Sequence, residues 1–403
     1  MGDALRPIRV LAVVAMAALT QLSCSTSSGP HASAPRLSSP TPVVVNPADS
    51  KAADLRKRLD LLLGEHVMVV AKESAAAAAH NDEYPGYLSL LTNATDLTDL
   101  IRSAFGDTAA GQFQQLWGVQ NGYLVDYTIG LVTHNQSKSN GAMSGLINGF
   151  VPQFAQFVTT TTQLPLDPTT QLMTEQVLET QKMIDDQVAQ NYSKMYDDLQ
   201  TAYAQTSRIG DALAPQIVRT VPDKFPGDAS NKAADLRSSL NDLLQEHAYL
   251  ATMVTDAEVG GRGAEQAAAL HALSGNADAL GTLFSGLFDA AAGTRFDQFW
   301  GIKDADLVGY AGSADPTTRQ RLTNTFVAQF TGFVEDSTGS TSTALSSSIQ
   351  AQVQATIKVI DDQRAKLFAP MAADDQTAAA AMQSIADLVT TATVAKLPAK
   401  FGP

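Results

Sequence analysis

Residues 51–70 read KAADLRKRLDLLLGEHVMVV, and residues 232–251 read KAADLRSSLNDLLQEHAYLA. In the first stretch Leu55, Leu59, Leu62, Leu63, His66 and Val70 follow one another at helical steps of three, four and one. That spacing gathers them on one face of an α-helix. Leu236, Leu240, Leu243, Leu244 and His247 repeat the stripe in the second stretch, and Leu250 closes it. The period is helical and the unit is written twice. No run shows convincing two-residue alternation. The expected fold is all-α, with two tandem homologous helical bundles.

Other echoes keep the same order. Phe113-x-x-Leu116-Trp117-Gly118 returns as Phe296-x-x-Phe299-Trp300-Gly301. Phe150-Val151-x-Gln153-Phe154 returns as Phe326-Val327-x-Gln329-Phe330, and Ile184-Asp185-Asp186-Gln187 as Ile360 to Gln363. The separation between copies shortens near residues 134 to 141, so the second unit is slightly the shorter there. Phe225-Pro226-Gly227-Asp228 marks the boundary, because Pro and Gly stop one helix before the next begins. The expected organisation is residues 50–226 for the first bundle and 231–403 for the second. About six helical segments are expected per bundle, at 50–79, 85–104, 109–133, 141–163, 168–190 and 192–220 in the first. Asp167-Pro168 and Asp315-Pro316 read as an N-cap followed by proline.

Upstream of the repeats, Arg6 and Arg9 precede an apolar run from Val10 to Leu19. A basic start and a short apolar core describe a secretory signal over residues 1–23. Cys24, the chain's one cysteine, stands where such a signal is cleaved. This resembles a bacterial lipoprotein signal, with Gln21 where Leu is usual, and implies a lipid on the Cys24 thiol. Residues 24–49 are rich in Ser, Pro, Thr and Ala and read as a flexible spacer. The expected location is outside the cytoplasm, anchored to the cell membrane by the lipid, or secreted if Cys24 stays unmodified.

The 403 residues carry 27 Lys and Arg against 41 Asp and Glu, a net charge of −14. That balance argues against nucleic acid as a partner. A 44% hydrophobic share with 17% charged residues suits a chain with a sizeable core. One cysteine rules out an internal disulfide framework. The six histidines are His31 in the spacer, His80 and His134 near segment ends, His271, and the matched pair His66 and His247. No His-x-x-x-His or Glu-x-x-His occurs in the body, so paired ligands on one helix face are absent. His66 and His247 read as core histidines, with a metal-ligand or proton-carrying role as the alternative. Trp117, Trp300, Phe113 and Phe296 read as core. The Asp185-Asp186 and Asp361-Asp362 pairs read as solvated helix ends, with calcium as the weaker alternative.

The combination Leu-x-x-Leu-Leu-x-Glu-His, Phe-x-x-Leu-Trp and Tyr123-Leu124-Val125-Asp126-Tyr127, ending in Phe-Pro before a second copy, resembles a group of exported helical proteins of Gram-positive bacteria. Some of these are labelled copper amine oxidase-like. The resemblance implies an inward set of further histidines beside the first-helix one. Here the matching positions hold Gln120, Gln176 and Gln205 in the first unit, and Lys303, Gln352 and Ala381 in the second. Gln is a poor ligand for a transition metal, so the resemblance implies a bundle that kept its fold and lost its metal. The expectation is a non-enzymatic, lipid-anchored envelope protein, a binding or structural module without a cofactor. Its expected partners are the membrane through Cys24, and an envelope protein or a small ligand. The alternative is a copper- or iron-binding or redox bundle using His66 and His247.

Overall fold

Helix α1 (Lys51–Ala79) opens the body, and its counterpart α9 (Lys232–Val259) opens the second half. The structure is a computed structural model that describes residues 46–79 and 82–402. Cys24, His31 and His80 lie outside the described residues, as do the expected signal and most of the spacer. After α1 come α2 (Tyr84–Thr92), α3 (Thr95–Phe105), α4 (Asp107–Val132), α5 (Gln136–Gly145), α6 (Val151–Thr162), α7 (Leu166–Val188) and α8 (Tyr192–Thr220). After α9 come α10 (Gly263–Leu287), α11 (Ala290–Ser313), α12 (Pro316–Gln320), α13 (Val327–Thr338), α14 (Thr343–Ala365), α15 (Phe368–Ala380), α16 (Met382–Lys396) and α17 (Pro398–Phe401). No strand occurs among the described residues, and no helix there is long and apolar enough to cross a membrane. The fold is all-α.

Local chemistry explains where the expected segments differ from the observed ones. The segment expected at 85–104 is two helices, because Asn93 stops α2 and its side chain accepts from the Thr95 N–H. Asp315 caps α12 by accepting from Thr318 N at 2.9 Å. Asp167 does not cap: α7 starts one residue before it, with Pro165 at the cap. The segment expected at 141–163 passes through a π-helical turn, Leu146–Phe150, and Arg321–Phe326 is a second such turn. The end of the expected spacer belongs to the folded body. Pro47–Asp49 form a 3-10 turn capped by Asn46, with Ala48 fully buried.

α1 and α9 are buried on more than the expected face. Lys57, Asp60, Lys72 and Glu73 on α1, and Arg237, Asn241 and Gln245 on α9, are buried along with the leucines. The reason is that the two halves pack against each other along these helices. Their polar contacts are reciprocal. Arg56 Nη1 donates to the Ala229 carbonyl at 3.0 Å and pairs with Asp235 across the interface. Arg237 Nη1 donates to the Ala48 carbonyl at 3.0 Å and reaches Asp54 at 3.3 Å in the opposite sense. Each arginine also binds an aspartate from its own half, Asp211 at 2.6 Å and Asp387 at 2.8 Å. Gln376 donates to Glu65 at 2.5 Å, and Gln200 hydrogen-bonds Glu246. These contacts are compatible with two like units meeting about a pseudo-twofold axis. The connection between α8 and α9 turns at Gly227, whose φ of +118° and contact with Ser50 suit glycine alone.

One element of this interface breaks the reciprocity. Asp60 is 1% exposed, and only Arg56 at 4.0 Å and the neighbouring Ser238 hydroxyl offset the burial of its carboxylate. It lies so close to α8 that only a glycine, Gly210, fits opposite it. Burial first, then the nearby Asp242 and Asp211, hold its carboxyl well above the ordinary value. Burial likewise pushes Asp242 up to about 7. The unfolded chain releases these protons near pH ~4, whereas the folded chain holds that of Asp242 to about pH 7 and that of Asp60 well above its ordinary range. An unfolded imidazole is half protonated near pH ~6.5, but the histidine contribution is common to parent and Asp60→Asn. At these carboxyls the folded protein binds more protons than the unfolded, so their part of the stability falls as pH rises. Asn stands at the matching place on α9, as Asn241. We expect Asp60→Asn to flatten the fall in melting temperature between about pH 6.5 and pH 8. It should also melt above the parent at the upper end. A parallel shift of both proteins across that range would show Asp60 to be ionised in the folded chain.

Candidate functional site

On α4, Phe113, Trp117 and Gln120 are four and three residues apart and share a face. Phe150, Phe154 and Phe157 do the same across the first π-helical turn and α6. The two faces meet beside α1. His66 lies with its ring centroid 4.7 Å from that of Trp117, and Phe113 stacks on Trp117 at 5.3 Å. Phe154 packs 6.1 Å from Trp117. With Met173 and Gln176 from α7 and Ile209 from α8, these side chains enclose a cavity of about 70 Å³. Half-buried Leu63, Ile101, Phe105, Thr161 and Leu213 form its outer wall.

The lining is mostly apolar, the hydroxyls of Thr161, Thr162 and Thr206 are bound to backbone carbonyls, and three polar atoms are left over. His66 Nε2, Gln120 Oε1 and Gln176 Oε1 are buried and have no hydrogen-bond partner in the protein. Gln120 is 7% exposed. An unpaired buried donor or acceptor costs about 1–3 kcal/mol, and these three, on α1, α4 and α7, are left open by the fold itself. The orientation of Gln176 follows from its neighbour. Thr180 Oγ1 donates to the Gln176 carbonyl at 2.9 Å, so it can only accept from the Gln176 side-chain nitrogen at 3.3 Å. Oε1 is thereby turned towards the cavity. Burial pushes His66 down to about 4, so its imidazole is neutral at ordinary pH. Glu65 faces away from the cavity to Gln376 of the other half, as the 100° step between neighbours on a helix requires.

The second half builds the same aromatic corner and fills it. His247 lies 4.9 Å from Trp300, and Phe296 stacks on Trp300 at 4.8 Å. Where the first half has Gln120 and Asn121, the second has Lys303 and Asp304 at the matching places after its Trp. Lys303 Nζ lies 2.5 Å from His247 Nε2, 2.9 Å from Asp304 and 4.0 Å from the centre of the Trp300 ring. Asp304 also contacts His247 Nε2 at 3.0 Å, and Asn276 meets Nδ1 at 3.0 Å. Burial and then Lys303 lower the His247 pKa. Burial alone would raise the Asp304 carboxyl, but Lys303 and His247 bring it below its ordinary value. Phe284, Phe299 and Met382 take the places of the smaller Ile101, Leu116 and Thr206. The space left is about 10 Å³, at the lower limit for one water.

The structure thus treats the two matched histidines differently. His247 has both ring nitrogens engaged, and His66 has Nε2 open. Among the described residues no three His, Cys, Asp or Glu side chains converge as a group able to hold a metal ion. His134 closes α4 in a left-handed conformation, and His271 is exposed. The aromatic residues expected to be core are core, with Trp117 5% and Trp300 1% exposed. The expected solvated aspartate pairs need correction. Tyr127 OH donates to Asp185 at 2.5 Å and Tyr310 OH to Asp361 at 2.7 Å, so the first aspartate of each pair ties α7 or α14 to an earlier helix, α4 or α11. Gln120 and Gln176 entered the sequence reading only as places where histidine was missing. Their open acceptors depend on the empty volume beside them, which no spacing rule reveals.

Comparison with protein-family models, with curated proteins and with solved structures gave no match. The charge set of the second half offers a test of its own. Asp304→Asn leaves the Lys303 ammonium buried without its counter-ion, which costs about 3–5 kcal/mol. Lys303→Gln combined with Asp304→Asn copies the first half and should lose much less. Urea denaturation of the three proteins measures both, and equal losses would show that the pair does not act as a unit.

Proposed function

We propose that the protein is a lipid-anchored envelope module that binds a small molecule in its first-half cavity, without catalysing a reaction on it. The observation that carries this reading is the cavity of about 70 Å³ whose lining holds three partnerless polar atoms. Apolar walls supply burial, and a few convergent polar groups fix orientation, which is the usual make-up of a small-ligand site. The polar groups are two amides and a neutral imidazole, which hold a guest by hydrogen bonds. The second half supports the reading by contrast. The same aromatic corner closes fully when Lys303 and three larger side chains enter it, so an open corner is not imposed by the fold.

The anchor rests on the sequence: Arg6, Arg9, the apolar run and Cys24, followed by a Ser- and Pro-rich tether. A lipid on Cys24 would hold the cavity outside the cytoplasm within reach of the membrane surface. Mass spectrometry of the mature protein should then find an acylated N-terminal Cys24. An unmodified start at another residue would remove the anchor.

Xenon tests the cavity, since it enters small apolar cavities irrespective of hydrogen bonding. Saturable xenon binding, read as a shift of the xenon resonance, is expected for the parent. It should be weakened in the Gln120→Lys, Asn121→Asp double variant, which puts the second half's charge pair into the cavity. Identical shifts in parent and variant would place the bound xenon elsewhere and end this reading.

A further inference from the structure

The cavity's own chemistry narrows its guest. We propose that it selects a small, neutral aliphatic molecule that donates hydrogen bonds, such as a short alcohol or primary amide, over ions and pure acceptors of the same size. This rests on the reading of the cavity as a ligand site.

Size comes first. An apolar cavity of about 150 Å³ takes benzene, and this one is about 70 Å³. A guest smaller than an aromatic ring fits without displacing Trp117 or Phe154.

Charge comes second. No Asp, Glu, Lys or Arg lines the cavity. The second half shows what an ammonium needs in this corner. Lys303 Nζ rests on His247 Nε2 and over the Trp300 ring, with the Asp304 carboxylate 2.9 Å away. In the first half both charges are gone together, replaced by Gln120 and Asn121. The aromatic face and the imidazole remain for a cation, but its counter-ion does not. A buried ion without a partner is strongly disfavoured, and the same holds for a carboxylate. The guest is therefore neutral.

Polarity comes third. Gln176 Oε1 accepts and cannot donate, because the Gln176 nitrogen is already committed to Thr180. A hydroxyl or amide N–H satisfies such an oxygen. An ether in the same volume leaves it unpaired, and the loss of a hydrogen bond that a site is built to make discriminates strongly.

Four probes of nearly equal shape separate these claims: isobutanol, isopropyl methyl ether, isobutylammonium and isobutyrate. Binding is followed by ligand-observed nuclear magnetic resonance on the parent. It is also followed by fluorescence in a Trp300→Phe variant, which leaves Trp117 as the one tryptophan. Isobutanol should bind at least about tenfold more tightly than the other three, a difference of about 1.4 kcal/mol. The Gln120→Lys, Asn121→Asp variant should lose isobutanol while keeping the parent's circular dichroism. Equal affinity for the ether would overturn donor selection, and preference for either ion would overturn neutrality. Both outcomes leave the cavity reading standing. Failure of all four probes together with xenon would sink that reading instead.

Discussion

A polar atom taken out of water must find a partner, and that constraint orders this protein at three depths. Between the halves it is met by exchange. Arg56 and Arg237 each satisfy a carbonyl and a carboxylate across the interface. Inside the second half it is met by a closed set of His247, Asn276, Lys303 and Asp304. Inside the first half His66, Gln120 and Gln176 keep atoms without a protein partner. The aromatic corner is the same in both halves, so the structural difference lies in how this one requirement is left or closed.

Much of this was legible in the residues. The leucine stripe gave the helices, and the echoes of Lys-Ala-Ala-Asp-Leu-Arg and Phe-x-x-aromatic-Trp placed matched elements in both halves. The extent of burial was not. The stripe named one face of α1 and was silent on Arg56, Lys57 and Asp60. Arg56 and Lys57 are paired with Asp235 and Asp387 of the other half, and Asp60 lies beside Ser238, a long-range fact that leaves no local mark. The π-helical turns at Leu146–Phe150 and Arg321–Phe326 were equally silent, since an inserted residue changes no composition. Asp167 and Asp315 show the limit of a motif: the same Asp-Pro pair caps a helix at one place and sits inside it at the other.

The site was half legible. His66 and His247 were found as a matched pair, but the sequence could not say that one is sealed and the other open. The discriminating signal was present in the exchange of Gln120-Asn121 for Lys303-Asp304, two neighbouring positions that gain or lose opposite charges together. Paired changes of this kind are what a buried site demands, because either charge alone is costly. Reading them needed the distance from Lys303 to His247, which only the fold supplies.

The reciprocal arginine contacts have a consequence for assembly. Each half presents to the other the same kind of surface that it receives, as two subunits do in a symmetric homodimer. The peptide joining α8 to α9 therefore acts as a tether that fixes a high local concentration of one surface about the other. Dilution cannot part them, so the pairing does not depend on how much of the protein the cell makes. It also lets each half carry its own interior behind a like surface, which no true homodimer permits, and the filled and open corners differ in that way.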